Sequence, residues 1–215
     1  MQETTLSLNQ FSWRAFYQQR QTVRRRYRTV FHLPIRKRPT EIIFANLRTG
    51  IRVLDVGAST RSLGEKMKER VPSLTYKTMD IDRTQQHDYY SLSEIRETFD
   101  LITLIEVIEH LPFENGLNML RELTGLLNPG GKIIVTTPNL HHPSRYWCDC
   151  DHRTPYEYQN LGAVLLEAGF DLDGLYRTYN DQFLRRFIRR YLTSHLHRYL
   201  DLDFADTIVA VGVKP

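Results

Sequence analysis

Arg52-Val53-Leu54-Asp55-Val56-Gly57-Ala58-Ser59 is the stretch that decides the fold of this chain. Ile51–Val56 is a nearly continuous apolar run, the pattern of a strand covered on both faces of a parallel sheet. It ends in an acid and a glycine. Gly57 lets the backbone approach a ligand, and Ser59 and Thr60 can cap a following helix. In open α/β sheets, ligands bind beyond the carboxyl ends of the strands. This turn is therefore the first candidate site.

The alternation continues outward from it. Ser62–Arg70 reads as a helix, Thr75–Met79 as a strand ending at Asp80, and Phe99–Ile105 as another buried strand. Gly116–Leu127 reads as a helix, Asn128-Pro129-Gly130-Gly131 as a turn and Lys132–Thr137 as a strand. Tyr158–Ala168 is a helix stopped by Gly169, and Asp171–Tyr179 and Thr207–Val213 are the last strands. Strands alternating with helices predict an α/β fold with a doubly wound, mostly parallel sheet. Only 18 residues separate Asp80 from Phe99. They hold a small third strand near His87–Tyr90 and a short helix at Ser91–Glu97, but no full helix directly after Asp80.

Ahead of this unit, residues 1–10 read as a polar, frayed end. Phe11–Phe31 has helical spacing of its apolar residues and is broken at Leu33-Pro34. Glu41–Arg48 reads as a second short helix, capped by Thr40 and ended by Gly50. The expected organisation is a basic helical extension over 1–49 and one domain over 50–215, with a helical insertion at 181–201 before the last strand.

The net charge of +4 is unevenly spread. Residues 1–50 carry ten Lys/Arg against two Asp/Glu, and 183–200 carry five Arg and no acid. The rest of the body is acidic. Contact with an anionic membrane or a nucleic acid would have to use those two segments. No aromatic-interleaved basic pattern marks a nucleic-acid site, so none is expected as partner. Phe183–Leu192, continuing through Leu196, Tyr199 and Leu200, is amphipathic with an arginine-rich side. It reads as a packed helix or lid, and alternatively as a peripheral membrane contact over 183–200. No apolar run approaches the roughly 18 residues of a membrane span, and the N-terminus has no secretory pattern. Cys148 and Cys150, one residue apart, make a mutual disulfide strained, which points to a reducing, cytoplasmic setting.

A carboxylate at Asp80 can accept both hydroxyls of a ribose. A dinucleotide is disfavoured, because the loop lacks the full Gly-x-Gly-x-x-Gly that seats a pyrophosphate. At this point the sequence resembles a family. Val53–Ser59, Met79-Asp80-Ile81-Asp82, Phe99–Leu111, Leu127–Asn139, Leu165–Phe170 and Ala205–Lys214 look like the successive motifs of class I S-adenosylmethionine methyltransferases. The resemblance covers about residues 50–215. It implies a Rossmann-like, seven-stranded sheet of order 3-2-1-4-5-7-6 with the last strand antiparallel, and S-adenosyl-L-methionine as cofactor.

Carried over, it implies that Asp55, Gly57 and Ser59 shape the pocket for the methionine part. Asp80 takes the ribose, with Ile81 against the adenine and Asp88 and Tyr89 at its amino group. Glu106 faces the reactive side. The family loop is Asp-x-Gly-x-Gly-x-Gly. Here Ser59 and Arg61 stand at the second and third glycines. The short connection after Asp80 resembles a compact variant, some members of which act on sugars or cell-surface precursors.

The segment Asn139–Tyr156 follows the fifth strand and should overhang the acceptor. Arg145, Trp147, His152 and Tyr156 suit sugar or phosphate recognition through stacking surfaces and a fixed cation. His110, His141 and His142 are the candidate general bases, needed only if the acceptor loses a proton. His141, His142, Cys148, Cys150, Asp151 and His152 include metal-ligand types, but the Cys-x-Cys spacing is not a usual zinc pattern, and no metal is expected. The expected reaction is methyl transfer to a small-molecule, sugar or lipid-linked glycan acceptor. The alternatives are a non-catalytic domain with the same fold, and an RNA methyltransferase using the basic N-terminal segment. The sequence does not set the oligomeric state.

Overall fold

The computed structural model describes residues 11–180 and 182–215. The polar end expected over 1–10 and Asp181 of the insertion lie outside them. Among the described residues, seven strands form one sheet: β1 Ile35–Arg36, β2 Arg52–Val56, β3 Thr75–Met79, β4 Phe99–Ile105, β5 Leu127–Pro138, β6 Asp171–Thr178 and β7 Thr207–Val213. Their order is β1-β6-β7-β5-β4-β2-β3. β7 runs antiparallel to both neighbours, β5 and β6, and the remaining pairs are parallel. The Rossmann-like, mostly parallel sheet is therefore present.

Its membership differs from the implied order. The third strand near His87–Tyr90 is reduced to one bridge, Met79 to Tyr89. The cause is local: the Asp88 carboxylate accepts from the Thr78 backbone N–H and hydroxyl at 3.0 Å, folding this segment back after one pair. The seventh strand is instead β1, from the N-terminal extension, parallel to β6 at the opposite edge. The helix expected over Ser91–Glu97 is a single 3-10 turn, Leu92–Glu94, capped by the Ser91 hydroxyl. The Asn128–Gly131 turn lies within β5, where Gly130 takes φ +72° and donates to the Lys214 carbonyl as the register opposite β4 shifts.

Two apolar layers sandwich the sheet. One joins Leu54, Ile102, Leu104, Ile133 and Val135 to α4 (Phe113–Gly125) and α5 (Tyr158–Glu167). The other joins Val53, Leu101, Ile134 and Val209 to α2 (Pro39–Ala45) and α3 (Ser62–Arg70). α2 starts at Pro39, where a missing N–H costs nothing, and not at a Thr40 cap. α1 (Trp13–Arg26) ends well before Phe31. Tertiary partners capture its end: the Arg26 guanidinium donates to the Leu172 and Asp173 carbonyls, and the Tyr158 hydroxyl donates to the Tyr27 carbonyl. α1 packs on α5, with Val23 against Gly162.

The insertion is not one continuous helix. It forms α6 (Phe183–Phe187), a π-helical stretch Ile188–Leu192 and α7 (Ser194–Tyr199). No helix among the described residues is long and apolar enough to cross a membrane.

Candidate functional site

The loop after β2 carries the most unusual backbone of the chain. Gly57 has φ +73°, Ser59 +44° and Arg61 +61°. The left-handed region suits glycine and strains other residues. Ser59 and Arg61 thus keep the conformation that glycines would give. The Arg61 side chain leaves the loop, with Nη1 donating to the Gln86 carbonyl at 3.0 Å and Nη2 3.3 Å from Asp88 Oδ2. At Gly57 a Cβ would lie 2.3 Å from Val107 Cγ2, so only glycine lets the turns after β2 and β4 meet.

Asp55 points into the sheet. Its buried carboxylate accepts from the Tyr76 hydroxyl at 2.5 Å and the Thr103 hydroxyl at 2.6 Å. Burial raises its pKa. It supports the loop from behind. Asp80, at the end of β3, accepts from the Ser59 N–H at 2.9 Å and the Asp82 N–H at 3.0 Å. Ile81 beside it is 81% exposed and, with Met79, Tyr90 and Leu111, lines a cleft of about 420 Å³.

Asp88 and Tyr89 are engaged by the protein. Asp88 binds Lys77, Thr78 and Arg61. Against burial, which raises it, the hydrogen bonds from Lys77 and Thr78 hold its pKa low. The Tyr89 hydroxyl donates to Glu97. Contact with an adenine amino group, as the resemblance implies, would have to compete with these bonds.

The turn after β4 lies beside the loop after β2, where Gly57 meets Val107. Glu106, at φ +52°, exchanges hydrogen bonds with the Thr136 hydroxyl at 3.0 Å and lines a cleft of about 670 Å³ with Arg145. Glu109 is fully buried, and neither carboxylate oxygen has a hydrogen-bond partner among the described residues. Burial, then the neighbouring Glu106, pushes its pKa up to about 8. The Glu109 carbonyl accepts from the Arg153 and Thr154 N–H groups at 2.8 and 3.0 Å, which folds the 139–156 segment back over this turn.

That fold brings His152 beside His110, with ring centroids 4.9 Å apart. His152 Nδ1 lies 2.7 Å from the Tyr146 carbonyl, and its ring stacks on Tyr146. His110 Nδ1 is 3.4 Å from Asp151. Ligand-type atoms of Glu109, His110 and His152 all lie within 4.8 Å of one another. This set has the ligand types of a divalent-cation site. Cys148 and Cys150 are exposed, free thiols outside it. Sequence reasoning assigned Glu109 no role; its one signal was the Glu106-x-x-Glu109-His110 spacing at a strand end.

The other expected residues divide. His141 Nδ1 lies 3.1 Å from the Asp201 carbonyl, and Glu157 beside Nε2 raises its pKa. His142 Nδ1 accepts from the Ser144 and Arg145 N–H groups. Both organise the loop, away from the Glu109 cluster. Trp147 is 74% exposed. Tyr156 is 1% exposed, packs under α4 against Gly116 and Phe113, and lines a separate cleft with Trp13, Phe113 and Pro155.

A family model described as "Methyltransferase domain" matches residues 23–174. Among curated proteins, a ubiquinone biosynthesis O-methyltransferase from Stutzerimonas stutzeri (strain A1501) is 27% identical over 114 residues, covering 45% of this chain and 48% of that protein. The alignment thus spans about half the relative's length. A solved structure of a SAM dependent methyltransferase from Archaeoglobus fulgidus superposes with TM-score 0.62 at 15% identity, over 94% of this chain and 100% of that one. The N-methyltransferase NodS from Bradyrhizobium japonicum WM9, solved with S-adenosyl-L-homocysteine, gives 0.56 at 15% identity over 82% and 85%. At these identities the structural likeness establishes the fold.

Proposed function

The chain belongs to the methyltransferase-domain family, and on that premise we propose that it moves a methyl group from S-adenosyl-L-methionine to a nucleophilic oxygen of a small-molecule, sugar or lipid-linked glycan acceptor. The observation that carries this is the glycine-like backbone of the loop at Gly57, Ser59 and Arg61, kept although two of the three residues have side chains. Such strain persists where the surroundings enforce it, and it concentrates at ligand sites.

The residues present fit the cofactor. Gly57 and Ser59 would hold its methionine part against the Glu106–Val107 turn, with Asp55 bracing them from within the sheet. Asp80 would take the ribose hydroxyls, and Ile81 would cover the adenine in the cleft it shares with Met79. Asp88, Tyr89 and Arg61 would keep this wall in place. When bound, the cofactor supplies a methyl already activated on a sulfonium, so the chain's main task is alignment and exclusion of water. Arg145, Trp147 and His152 would orient the acceptor above Glu106. The acceptor proton goes to His110, steadied by Asp151. His141 and His142 would shape the loop that carries Arg145.

Calorimetry with S-adenosylhomocysteine tests this reading. Micromolar binding that weakens about tenfold in Asp80→Ala, roughly 1.4 kcal/mol, is expected. A folded protein that fails to bind at millimolar ligand overturns it.

A further inference from the structure

We propose that the acceptor is an anionic amphiphile, with a phosphate-type head in the cleft beside Glu106 and an apolar chain in the adjoining groove under α6. The word acceptor rests on the methyl-transfer reading above. Lys37, Arg38, Lys66, Arg70 and Arg145 all line the larger cleft. None of the five forms an ion pair among the described residues. The acids lining the same space are Glu69, Glu106 and Asp206. Burial raises the pKa of Glu106, which reduces its negative charge at a given pH. The cleft is thus net positive and opens onto the turn after β4. Guanidinium and ammonium groups converging on one space suit a phosphate or diphosphate, which accepts several hydrogen bonds at once.

The second groove begins where the first ends. Lys37 lines both, and the second, of about 400 Å³, continues over Ile35, Tyr179, Phe183, Phe187 and Tyr191, with Arg36, Glu41 and Arg190 also in its lining. The insertion leaves Phe183 74%, Leu184 68%, Tyr191 61% and Leu192 68% exposed. Of these, Phe183 and Tyr191 line the groove itself, and exposed apolar side chains around a concavity mark a binding surface. A head group alone would leave it uncovered. An apolar ligand alone would leave the cations unmatched. One molecule with an anionic head and an apolar chain satisfies both, and the shared Lys37 sets the junction.

The test is titration of the full chain, preloaded with S-adenosylhomocysteine, with farnesyl diphosphate, inorganic pyrophosphate and farnesol. Farnesyl diphosphate should bind at least about tenfold more tightly than either fragment, as expected when apolar burial and charge pairing act in one molecule. Lys37→Ala and Arg145→Ala should weaken both diphosphates. Phe183→Ser with Tyr191→Ser should erase only the advantage of the prenylated one. Pyrophosphate binding as tightly as farnesyl diphosphate would overturn the proposal, leaving a soluble-anion site. So would flotation with vesicles of phosphatidylcholine and phosphatidylglycerol without farnesyl diphosphate binding, which would make the insertion a membrane-docking element. The preloading step reads cofactor binding separately: its failure would count against methyl transfer, and its success with no diphosphate binding against the amphiphile alone.

Discussion

Arg61 Nη2 lies 3.3 Å from Asp88 Oδ2, so the residue at the third position of the ligand loop is tied to the segment that replaces a sheet strand. Arg61 keeps φ +61° while its side chain reaches the Gln86 carbonyl and Asp88. The tether and the strained backbone act in opposite directions on stability. Arg61→Gly removes both and should leave stability unchanged or raise it by up to about 2 kcal/mol, because a left-handed non-glycine costs about 1–2 kcal/mol and an exposed ion pair returns 0–1. Arg61→Ala keeps the strain, loses the tether and should lower stability by about 1 kcal/mol. Thermal unfolding with and without S-adenosylhomocysteine checks both. A large loss in the glycine variant would mean that the arginine's bonds outweigh the strain of its backbone.

Gly57→Ala should be far more damaging. Its Cβ would lie 2.3 Å from Val107 Cγ2, and φ is +73°. We expect a loss of about 2–4 kcal/mol and at least roughly tenfold weaker S-adenosylhomocysteine binding. Adding Val107→Ala should recover part of the stability, because the clash is with that side chain. A double variant no better than the single would place the whole cost in the backbone angle.

Glu109 gives a pH signature. Its folded pKa of about 8 exceeds the ordinary 4.5. The folded carboxyl keeps its proton after the unfolded one has lost it. Stability from this group is therefore complete below about pH 4.5 and declines as pH rises to about 8, by an amount on the order of a few kcal/mol. Glu109→Gln should flatten this slope and be more stable than the parent at pH 8. Denaturant titrations at pH 5, 6.5 and 8 measure it, and an unchanged slope would exclude Glu109 as the source.

Asp203 holds the return from the insertion to the sheet. Its carboxylate takes Arg177 Nη1 at 2.8 Å, the Tyr179 hydroxyl at 2.6 Å and Asn139 Nδ2 at 3.0 Å, while Arg177 also donates to the Leu33 and Phe31 carbonyls. Asp203→Ala leaves a buried guanidinium without its counter-charge and should cost about 3–5 kcal/mol by chemical denaturation. A loss below about 1 kcal/mol would mean that water or the backbone carbonyls replace the carboxylate.

His110→Gln should reduce turnover while leaving S-adenosylhomocysteine affinity within about twofold, since His110 would act on the acceptor's proton. Parallel loss of both would assign it to cofactor binding.

Local chemistry explains how much was legible in advance. The strands at Arg52, Thr75, Phe99 and Thr207 and the helix at Ser62 follow from local patterning and turn residues, and the structure has these limits to within one residue. The alternation determined the mostly parallel sheet, and the Asp55-Val-Gly57 and Asp80 pair marked a candidate ligand edge. These signals depend on neighbours in sequence, so the chain carries them without its fold. Other features depend on residues far apart. The two-residue strand Ile35–Arg36 has no periodicity to read and exists because the β6 edge was open. Tyr156 is buried because Gly116 makes room for it. Glu109, His110 and His152 converge because the Glu109 carbonyl captures the Arg153 and Thr154 amides. The amino-acid order determined most of the strands and helices and marked a candidate ligand edge. Only the packed fold decided which side chains are buried, paired or left facing the cleft, because those outcomes depend on solvent exclusion and distances between segments that sequence spacing does not encode.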